Sequence, residues 1–538
     1  MNANDTRVGA KTRITTVGMG LIAALFCLYA AVFIYNTSFV MSGTRYFTLF
    51  DDAMVSMRYA KNLAEGQGLL WNPGGEHVEG FTNPLWVMVM ALAHLLPVSA
   101  PHVSLIIQIL AVGILLVNLF VCKKIADLIS DNSTFVALCA TTFIAFYLPL
   151  NNWSLQGMEV SLATLLLSSS VFLALKGLRS DQFSYSLLLL LALLPTIRLD
   201  LIVPAAVIIG VLLLAQKNHR KTYVLGLFFI FLTILAQTAF RFRYYYYILP
   251  NTYYLKMVGY PLLLRISRGA YVALDFILKI NWVLFSVPFI VLAIRRNTAN
   301  ALLVSLIAAQ IIYSIYVGGD AWEWWGGSNR YICIIMPAFF ILFAYGLDRM
   351  RLRALSIFPQ LTKPIHGLSG VVVLVSLLNV NATRGAESWG EWLLLTPPMH
   401  VAENQRQLKQ ALLMQQITDV RATVAVVSAG TLPYFANRVA IDLLGKNDLN
   451  IAHGDMRTQS GMDQFTYFYP GHLKWNYAYS IGQLQPDVVI ELWMIPIEAQ
   501  PYLSRDYREV TLQRNYHMYL RKGSPNIRWD VVQAIQTH

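Results

Sequence analysis

Long apolar stretches recur along this 538-residue chain, with short clusters of lysine and arginine between them. About twenty apolar residues in a row span the hydrocarbon core of a bilayer as a helix. Hydrophobic residues make up 56% of the chain and charged residues 13%, against about 25% charged residues in soluble proteins. The sequence therefore predicts a polytopic α-helical membrane protein that lies in a lipid bilayer.

The basic clusters orient the predicted spans, because loops rich in Lys and Arg stay on the cytoplasmic side. Apolar stretches come in pairs between consecutive clusters, so the chain returns each time to the same side. This pattern predicts about eleven crossings, with the N-terminus inside and the C-terminus outside. The predicted spans are 16–40, 102–121, 135–150, 158–175, 183–197, 200–216, 222–240, 270–293, 299–317, 331–346 and 367–382.

Charge and cysteine usage exclude several classes of protein. The positive-inside bias of the lysine and arginine clusters explains the net charge of +12, so we expect no nucleic-acid partner. All four cysteines lie in apolar stretches, which favours neither a disulfide framework nor a thiolate metal site. The chain has no P-loop and no Gly-x-Gly-x-x-Gly run, which argues against a nucleotide-driven pump.

Two helices are predicted to lie at the outer membrane surface. The segment 84–98 begins with Pro84, is short for a span, and as a crossing would reverse the charge bias, so we interpret it as re-entrant or interfacial. The segment 52–65 carries a rough apolar stripe and is followed by Gly66, with Asp51 or Asp52 as its predicted N-cap.

The adjacent carboxylates Asp51 and Asp52 open the first external loop, which we place at 41–98. Capping a helix needs one carboxylate, so the second favours a functional site. One of the pair could act as the base for a hydroxyl acceptor. A divalent metal between them is possible, although an Asp-Asp pair alone is a weak signal for one.

Other ionisable and aromatic residues also fall on the predicted outer side. Ionisable groups at membrane depth usually face a cavity, so each is a candidate for substrate or donor-phosphate binding. Three alternatives stay open: Arg and Lys that reach lipid headgroups, an interfacial aromatic belt at Tyr244–Tyr247 and Trp324–Trp325, and a structural Arg198–Asp200 ion pair. The candidates are Arg58, Glu79, Glu159, Arg198, Arg241, Arg243, Tyr247, Asn251, Lys256, Asp320, Arg330, His453 and His472.

Carboxylates near a bilayer, with arginine and lysine close by, suit a polyprenyl-phosphate sugar donor. The phosphate needs cationic partners, and the aromatic faces of the tyrosine-rich loop could stack on sugar rings or guide the isoprenoid. The sequence therefore predicts chemistry on a lipid-linked sugar.

The composition becomes mixed after about residue 383. The runs 424–430 and 486–490 predict buried strands, and a helix is predicted near 402–417. We therefore divide the chain into a transmembrane domain, 1–382, and a small external α/β domain, 383–538, for which some 150 residues suffice. His453 and His472 have no metal-ligand spacing, so we expect structural or substrate contacts from them.

Several motifs resemble those of one family of membrane glycosyltransferases. They include Asp51-Asp52 through Arg58-Tyr59-Ala60, Val78-Glu79-Gly80-Phe81-Thr82-Asn83-Pro84, and Leu249-Pro250-Asn251-Thr252. Gly318-Gly319-Asp320 and Ile441-Asp442-Leu443-Leu444-Gly445 follow in the same order. The chain thus resembles the C-type (GT-C) glycosyltransferases, and within them the mycobacterial terminal arabinofuranosyltransferase B and type IV pilin arabinosyltransferase family. Where that family has Arg-Pro-Glu, this chain has Arg198-Leu199-Asp200.

The resemblance implies a fold, an activity and a place in the cell. It implies a GT-C membrane domain in the bacterial inner membrane, with the active site and the C-terminal domain in the periplasm. It also implies transfer of an arabinofuranosyl unit from polyprenyl-phosphate arabinose to a cell-envelope glycan or a pilin, with Asp51 or Asp52 as the essential carboxylate. No cofactor is required by this reading.

Other functions stay open on the residues alone. A lipid-linked sugar flippase or transporter would share the composition, although the chain shows no internal repeat of the kind common in transporters. A GT-C enzyme that uses another polyprenyl-linked sugar, or a ligase that moves a whole glycan, would share the topology.

Overall fold

The computed structural model of the chain describes residues 3–321, 323, 329–458 and 468–536. These residues form two compact units. Unit 1 comprises 1–36, 108–235 and 266–399, and unit 2 comprises 37–107, 236–265 and 400–538. The tryptophans of the predicted aromatic loop, Trp322, Trp324 and Trp325, lie outside the described residues.

Unit 1 is built from helices. Its core consists of apolar side chains such as Phe143, Phe339 and Phe340, which are almost fully buried and stack on one another. Its helices are Ala3–Asn36, Thr134–Ala145, Leu148–Leu155, Val160–Ser180, Tyr185–Ile197, Ile202–Ala215, Trp282–Ile294, Thr298–Val317, Arg330–Cys333, Met336–Ile357, Thr362–Val380 and Ala386–Trp392. Three further helices continue from one unit into the other: Ala100–Ser130, Arg220–Tyr245 and Leu262–Lys279.

Apolar helices long enough to cross a bilayer are present throughout the described residues. Six helices are long and apolar enough to span the membrane. The number rises to eight if each of two bent helix pairs counts as one span. The six are Thr12–Asn36, Ala100–Ser130, Val160–Ser180, Lys217–Tyr245, Thr298–Val317 and Pro359–Val380. Three shorter apolar helices, Pro84–His94, Tyr185–Ile197 and Leu199–Ala215, complete the set. The chain is a multi-pass membrane protein, and eleven crossings remain a prediction.

Several predicted spans differ from the helices that form. The span 331–346 covers most of the short helix Arg330–Cys333 and the first half of Met336–Ile357. The first helix ends at Asn36, and residues 38–40 belong to a strand rather than to the span 16–40. The span 270–293 is broken at Asn281, whose φ of 76° ends one helix and whose side chain caps the next, so the two helices meet at 95°. The span 135–150 is likewise two helices, which meet at 50° just before Pro149.

Unit 2 begins with a hairpin and a buried helix. Strands β1 (Ser38–Met41) and β2 (Thr44–Phe47) pair antiparallel, and the helix Asp51–Ala64 follows. The N-cap prediction was wrong: Phe50 is the N-cap, and both aspartates lie in the first helical turn, where the helix dipole favours negative charge. The predicted apolar stripe was also too narrow, because residues 53–60 are buried all round the helix.

The rest of unit 2 contains a five-stranded mixed sheet with the order β4-β3-β5-β7-β6. Strands β3 (Thr423–Val426), β4 (Val439–Asp442) and β5 (Val488–Val489) run parallel, and β6 (Tyr507–Leu512) and β7 (Tyr516–Arg521) add an antiparallel edge. The predicted α/β character of the C-terminal residues is therefore confirmed. The helices of unit 2 are Asp51–Ala64, Pro84–His94, Asn251–Met257, Val401–Ile417, Thr431–Ala436, Leu449–Ala452, Gln500–Asp506 and Trp529–Gln536.

The compact units divide the chain differently from the sequence. Unit 2 joins the residues from 400 onwards with the first external loop and with 236–265. One contact between these segments is the hydrogen bond that the Asn404 side chain donates to the Leu49 carbonyl at 2.8 Å. The division at 382/383 stays a prediction about the linear order of the chain, whereas packing brings the first loop and the C-terminal residues into one unit.

Candidate active site

Asp51 is held by backbone amides of the C-terminal residues. Its Oδ1 accepts hydrogen bonds from the amides of Gly430 (3.2 Å) and Thr431 (2.9 Å), where the chain leaves β3. Gly430 is required for this approach, since a Cβ there would lie 2.1 Å from the Asp51 carbonyl oxygen. Among the described residues, the second oxygen, Oδ2, accepts no hydrogen bond. The carboxylate is thus fixed through one oxygen and open at the other.

Burial dominates the charge state of Asp51. It raises the pKa of this carboxyl to about 7, and the neighbouring Asp52 raises it further, whereas the Thr431 amide and Lys446 oppose the shift. A carboxyl that is half ionised near neutral pH can both take up and release a proton there. Asp51 therefore has the charge state of a general base.

Asp52 is paired with a lysine that follows β4. The Lys446 Nζ lies 2.6 Å from Asp52 Oδ1, and both side chains are about one-fifth exposed. The buried Asp442 carboxylate shapes the loop that carries this lysine, because it accepts the amides of Leu444, Gly445 and Asn447. The two adjacent aspartates thus have different environments, one paired with a cation and the other desolvated.

His472 and Lys256 belong to the same electrostatic neighbourhood. Burial lowers the pKa of His472 to about 4, with Lys256 and Lys446 acting in the same direction and Asp52 opposing them. The Lys256 side chain passes over Gly471, where a Cβ would lie 3.0 Å from Lys256 Cε. His472 is therefore a neutral imidazole at neutral pH, beside two lysines. Unit 2 thus brings together four of the predicted site residues: Asp51, Asp52, Lys256 and His472.

Arg58 acts as an internal clamp. Its guanidinium donates to the carbonyls of Trp71 (2.6 Å), Arg438 (2.8 Å) and Pro433, and to the Asn72 side chain (2.8 Å). It is buried, at 4% exposure. These acceptors come from both the first loop and the C-terminal residues, so the hydrogen bonds of Arg58 link the two parts of unit 2. This geometry gives Arg58 a packing role and lends no support to the predicted phosphate contact.

Glu79 and Arg241 form a buried ion pair, in which Arg241 Nε and Nη2 donate to the two carboxylate oxygens. Burial raises the pKa of Glu79, and Arg241 opposes that shift. Arg243 lies two residues further along the same helix and is exposed. Of these two predicted phosphate ligands, Arg241 is therefore paired with a carboxylate, and Arg243 is exposed.

Asn251, Tyr247 and His453 lie together around the short helix Leu449–Ala452. The buried Asn251 side chain donates to the Gly445 and Lys446 carbonyls, at 2.9 and 3.0 Å. The His453 ring stacks on Tyr254 at 4.1 Å and contacts Tyr247 at 5.1 Å. Asn251 thus fixes the loop that carries Lys446.

The predicted site residues of unit 1 are paired with one another. Arg198 donates to both oxygens of Asp200 (2.5 and 2.7 Å) and to Glu159 (3.1 Å), and all three are buried. Arg330 donates to both oxygens of Asp320 (2.7 and 3.1 Å). These contacts favour the structural ion pair that the sequence left open for Arg198 and Asp200.

Within the described part of the chain, no group of three or more His, Cys, Asp and Glu side chains is placed to hold a metal ion. The Lys446 ammonium lies 2.6 Å from Asp52 Oδ1 and places a positive charge beside this carboxylate.

Sequence reasoning missed Lys446 and the amides of Gly430 and Thr431. The resembling run Ile441–Gly445 ends one residue before this lysine. A usable signal was present, because Lys446 directly follows this run, which contains Asp442 and Gly445. What the sequence could not provide was the pairing of this loop with residues almost four hundred positions earlier.

Comparisons with known proteins concern both the C-terminal residues and the whole fold. The sequence profile of a domain of unknown function (DUF8728) matches residues 399–527. None of the curated protein sequences matches the chain.

Solved structures resemble the chain over most of its length. ArnT from Cupriavidus metallidurans in the apo state has a TM-score of 0.53 and 13% identity, over 92% of this chain and 97% of that one. ArnT bound to undecaprenyl phosphate has a TM-score of 0.53 and 12% identity, over 93% and 98%. The archaeal oligosaccharyltransferase AglB from Archaeoglobus fulgidus, with an inhibitory peptide and a dolichol-phosphate, has a TM-score of 0.52 and 10% identity, over 95% and 74%. The chain therefore has the GT-C fold.

Proposed function

We propose that this protein is a membrane glycosyltransferase that moves a sugar from a polyprenyl-phosphate donor to a hydroxyl acceptor. The observation that carries the proposal is Asp51: one carboxylate oxygen is fixed by two amides, the other is open, and burial raises its pKa to about 7. A base with a pKa near the working pH is the most effective catalyst of proton transfer from a hydroxyl.

The reaction assigns one task to each group. The acceptor oxygen forms a bond to the anomeric carbon while its proton passes to Asp51 Oδ2. The bond between the anomeric carbon and the donor's phosphate oxygen breaks, and polyprenyl phosphate leaves with the bonding electron pair. The phosphate gains one negative charge in this step, which a nearby cation stabilises.

Among the predicted phosphate ligands, Lys256 is best suited to stabilise the negative charge on the leaving phosphate. It acts on His472 together with Lys446 and Asp52, which groups it with the two aspartates electrostatically. The structures of ArnT with undecaprenyl phosphate and of AglB with dolichol-phosphate support a lipid phosphate as the donor's leaving group.

The donor sugar we propose is arabinofuranose, and the support for it is the motif resemblance described above. The same resemblance supports a periplasmic active site in the bacterial inner membrane and an envelope glycan or pilin as the acceptor. A GT-C enzyme with a different lipid-linked sugar would use the same carboxylate and the same phosphate ligand, so the donor must be tested directly.

The test uses the purified full chain in lipid nanodiscs. Synthetic polyprenyl-phosphate arabinofuranose is supplied with an arabinofuranose oligosaccharide, a lipopolysaccharide core or a pilin peptide, and release of polyprenyl phosphate is followed. We expect release with one acceptor, a rise of kcat/KM with pH around a midpoint near 7, and a loss of about 10²–10⁴-fold in Asp51→Asn.

Glu65→Gln is the matched control, because Glu65 is an exposed carboxylate at the C-terminal end of the same helix. It should keep wild-type activity. Consumption of another lipid-linked sugar instead would keep the enzyme class and discard arabinofuranose. Transbilayer movement of the donor without any glycosidic product would replace the proposal with a flippase.

A further inference from the structure

The carboxyl ends of the three parallel strands in unit 2 all lead to charged contacts around Asp51 and Asp52. The chain after β3 supplies the amides that hold Asp51, and the chain after β4 supplies Lys446. The chain after β5 supplies Glu491, which pairs with Arg406, the partner of Glu403. Ligands of α/β sheets bind at this edge. Here the edge contacts the carboxylates of the first loop.

The loop that presents Lys446 is fixed at several points. Asp442 accepts three of its amides, and Gly445 takes a φ of +82°, where a Cβ would lie 2.7 Å from Ile451. Asn251 binds the carbonyls of Gly445 and Lys446. Such anchoring is more than a surface ion pair needs, because exposed pairs contribute little to stability. The loop therefore holds the ammonium group at one carboxylate of an adjacent pair.

We propose that Lys446 is a positioning residue of the active site, which keeps Asp52 ionised and thereby makes Asp51 the carboxyl that exchanges a proton. The inference rests on the proposed function, in which the proton exchange of Asp51 is part of the reaction. Two neighbouring carboxylates that interact share their protons unless their environments differ. Lys446 provides that difference, since it pairs with Asp52 at 2.6 Å whereas Asp51 is held by neutral amides.

The charged groups that act on this pair come from several elements of unit 2. Asp52, Lys446 and Glu403 act on Asp51, and Lys256, Asp52 and Lys446 act on His472. His472 is neutral at neutral pH, so it does not contribute to a titration there. Without Lys446, the positive charge 2.6 Å from Asp52 is lost. Both carboxyls should then titrate at higher pH.

The first experiment measures the pH profile of kcat/KM for wild type, Lys446→Met and Lys446→Arg. We expect the acid limb of Lys446→Met to move up by about one pH unit, with about a fivefold loss of activity at pH 7 that shrinks at higher pH. Lys446→Arg should keep the wild-type limb. Lys409→Met removes an exposed lysine on the helix Val401–Ile417 and should change nothing.

The double variant Asp52→Asn, Lys446→Met removes both charges of the pair. Because Asp52 raises the pKa of Asp51 and Lys446 lowers it, the two losses should largely cancel, and the acid limb should return towards the wild-type midpoint. A loss of activity in Lys446→Met that is equal at every pH, with an unmoved limb, would overturn the proposal. The proposal would also be overturned if the acid limb of the double variant moved as far as the acid limb of Lys446→Met.

A second measurement does not depend on turnover. Carbodiimides modify protonated carboxyl groups, so the pH at which Asp52 becomes labelled reports its charge state, read by peptide mass spectrometry in an Asp51→Asn background. Lys446→Met should raise that midpoint by about one pH unit, and Lys409→Met should not. A shifted midpoint, together with a wild-type protein that consumes no lipid-linked sugar, would retain the Lys446 assignment and refute the glycosyltransferase. An unshifted midpoint, together with an active wild-type protein, would do the reverse.

Discussion

Two sites, one in each unit, handle buried charge in opposite ways. In unit 1, Arg198 joins Asp200 and Glu159, so that each carboxylate faces the same guanidinium. In unit 2, Asp51 is bound through one oxygen by neutral amides, and its pKa rises to about 7. Saturated pairs fix a structure, whereas an incompletely satisfied carboxylate retains a reactive proton site.

This contrast limits what the position of a charge can indicate. An ionisable residue at membrane depth is a site candidate by default, and both groups met that criterion. The geometry separates them by counting what each carboxylate already binds. Four changes test the separation, and they are ordered by the size of the expected effect.

The largest effect is expected from Arg198→Met. The change leaves Asp200 and Glu159 buried without their shared cation, which should cost about 3–5 kcal/mol of unfolding free energy. Thermal unfolding in detergent measures it. Arg179→Met is the control, because Arg179 forms an exposed pair with Asp131 and should cost about 0–1 kcal/mol. If the folded fraction of Arg198→Met were inactive, the ion pair would have a role beyond structure.

Gly430→Ala should follow. The new Cβ would lie 2.1 Å from the Asp51 carbonyl oxygen, so the strand end and the aspartate must separate. We expect kcat to fall by about 10–100-fold, the order of magnitude that a displacement of about 1 Å causes. Gly367→Ala meets open space and should be neutral. An active Gly430→Ala enzyme would show that the amides of this turn do not position Asp51.

Asp51→Asn should stabilise the protein in alkaline solution. Because burial raises the pKa of Asp51 from its usual value, ionisation disfavours the folded state, and stability is lost as the pH rises from about 4 through about 7. The amide keeps an oxygen for Gly430 and Thr431 without the charge. We expect a gain of about 1–3 kcal/mol at pH 8 that shrinks as the pH falls and vanishes below about 4. Equal stability of both proteins at pH 8 would contradict the raised pKa.

The smallest effect is expected from Arg243→Gln. Arg243 is exposed at the end of the helix Arg220–Tyr245, unlike its buried neighbour Arg241. Unfolding free energy should change by less than about 0.5 kcal/mol, and kcat/KM by less than about twofold. A clear rise in KM for the donor would return Arg243 to the list of phosphate ligands.

Composition and period were enough to predict most of the helices and the class of the C-terminal residues. The predicted helix near 402–417 forms as Val401–Ile417, β3 overlaps the predicted run 424–430, and β5 lies within the predicted run 486–490. Helix ends were less predictable. Asn281 breaks an otherwise apolar run because it adopts a positive φ, and nothing in hydropathy reports a backbone dihedral.

Part of the candidate site could be proposed from the sequence. Asp51 and Asp52 were identified because two adjacent carboxylates exceed the needs of a helix cap, although neither is the cap. Their roles could not be separated, because the difference comes from Thr431 and Lys446. Local spacing carries no information about contacts between segments so distant along the chain.

The contact between Asp52 and Lys446 also has a consequence for biosynthesis. Ribosomes produce the aspartates first, and the strand ends that hold them emerge only after all the candidate membrane spans found among the described residues. A nascent or prematurely terminated chain can therefore enter the membrane with both carboxylates and still lack their partners. On the proposed function, such a fragment would enter the membrane without consuming lipid-linked sugar.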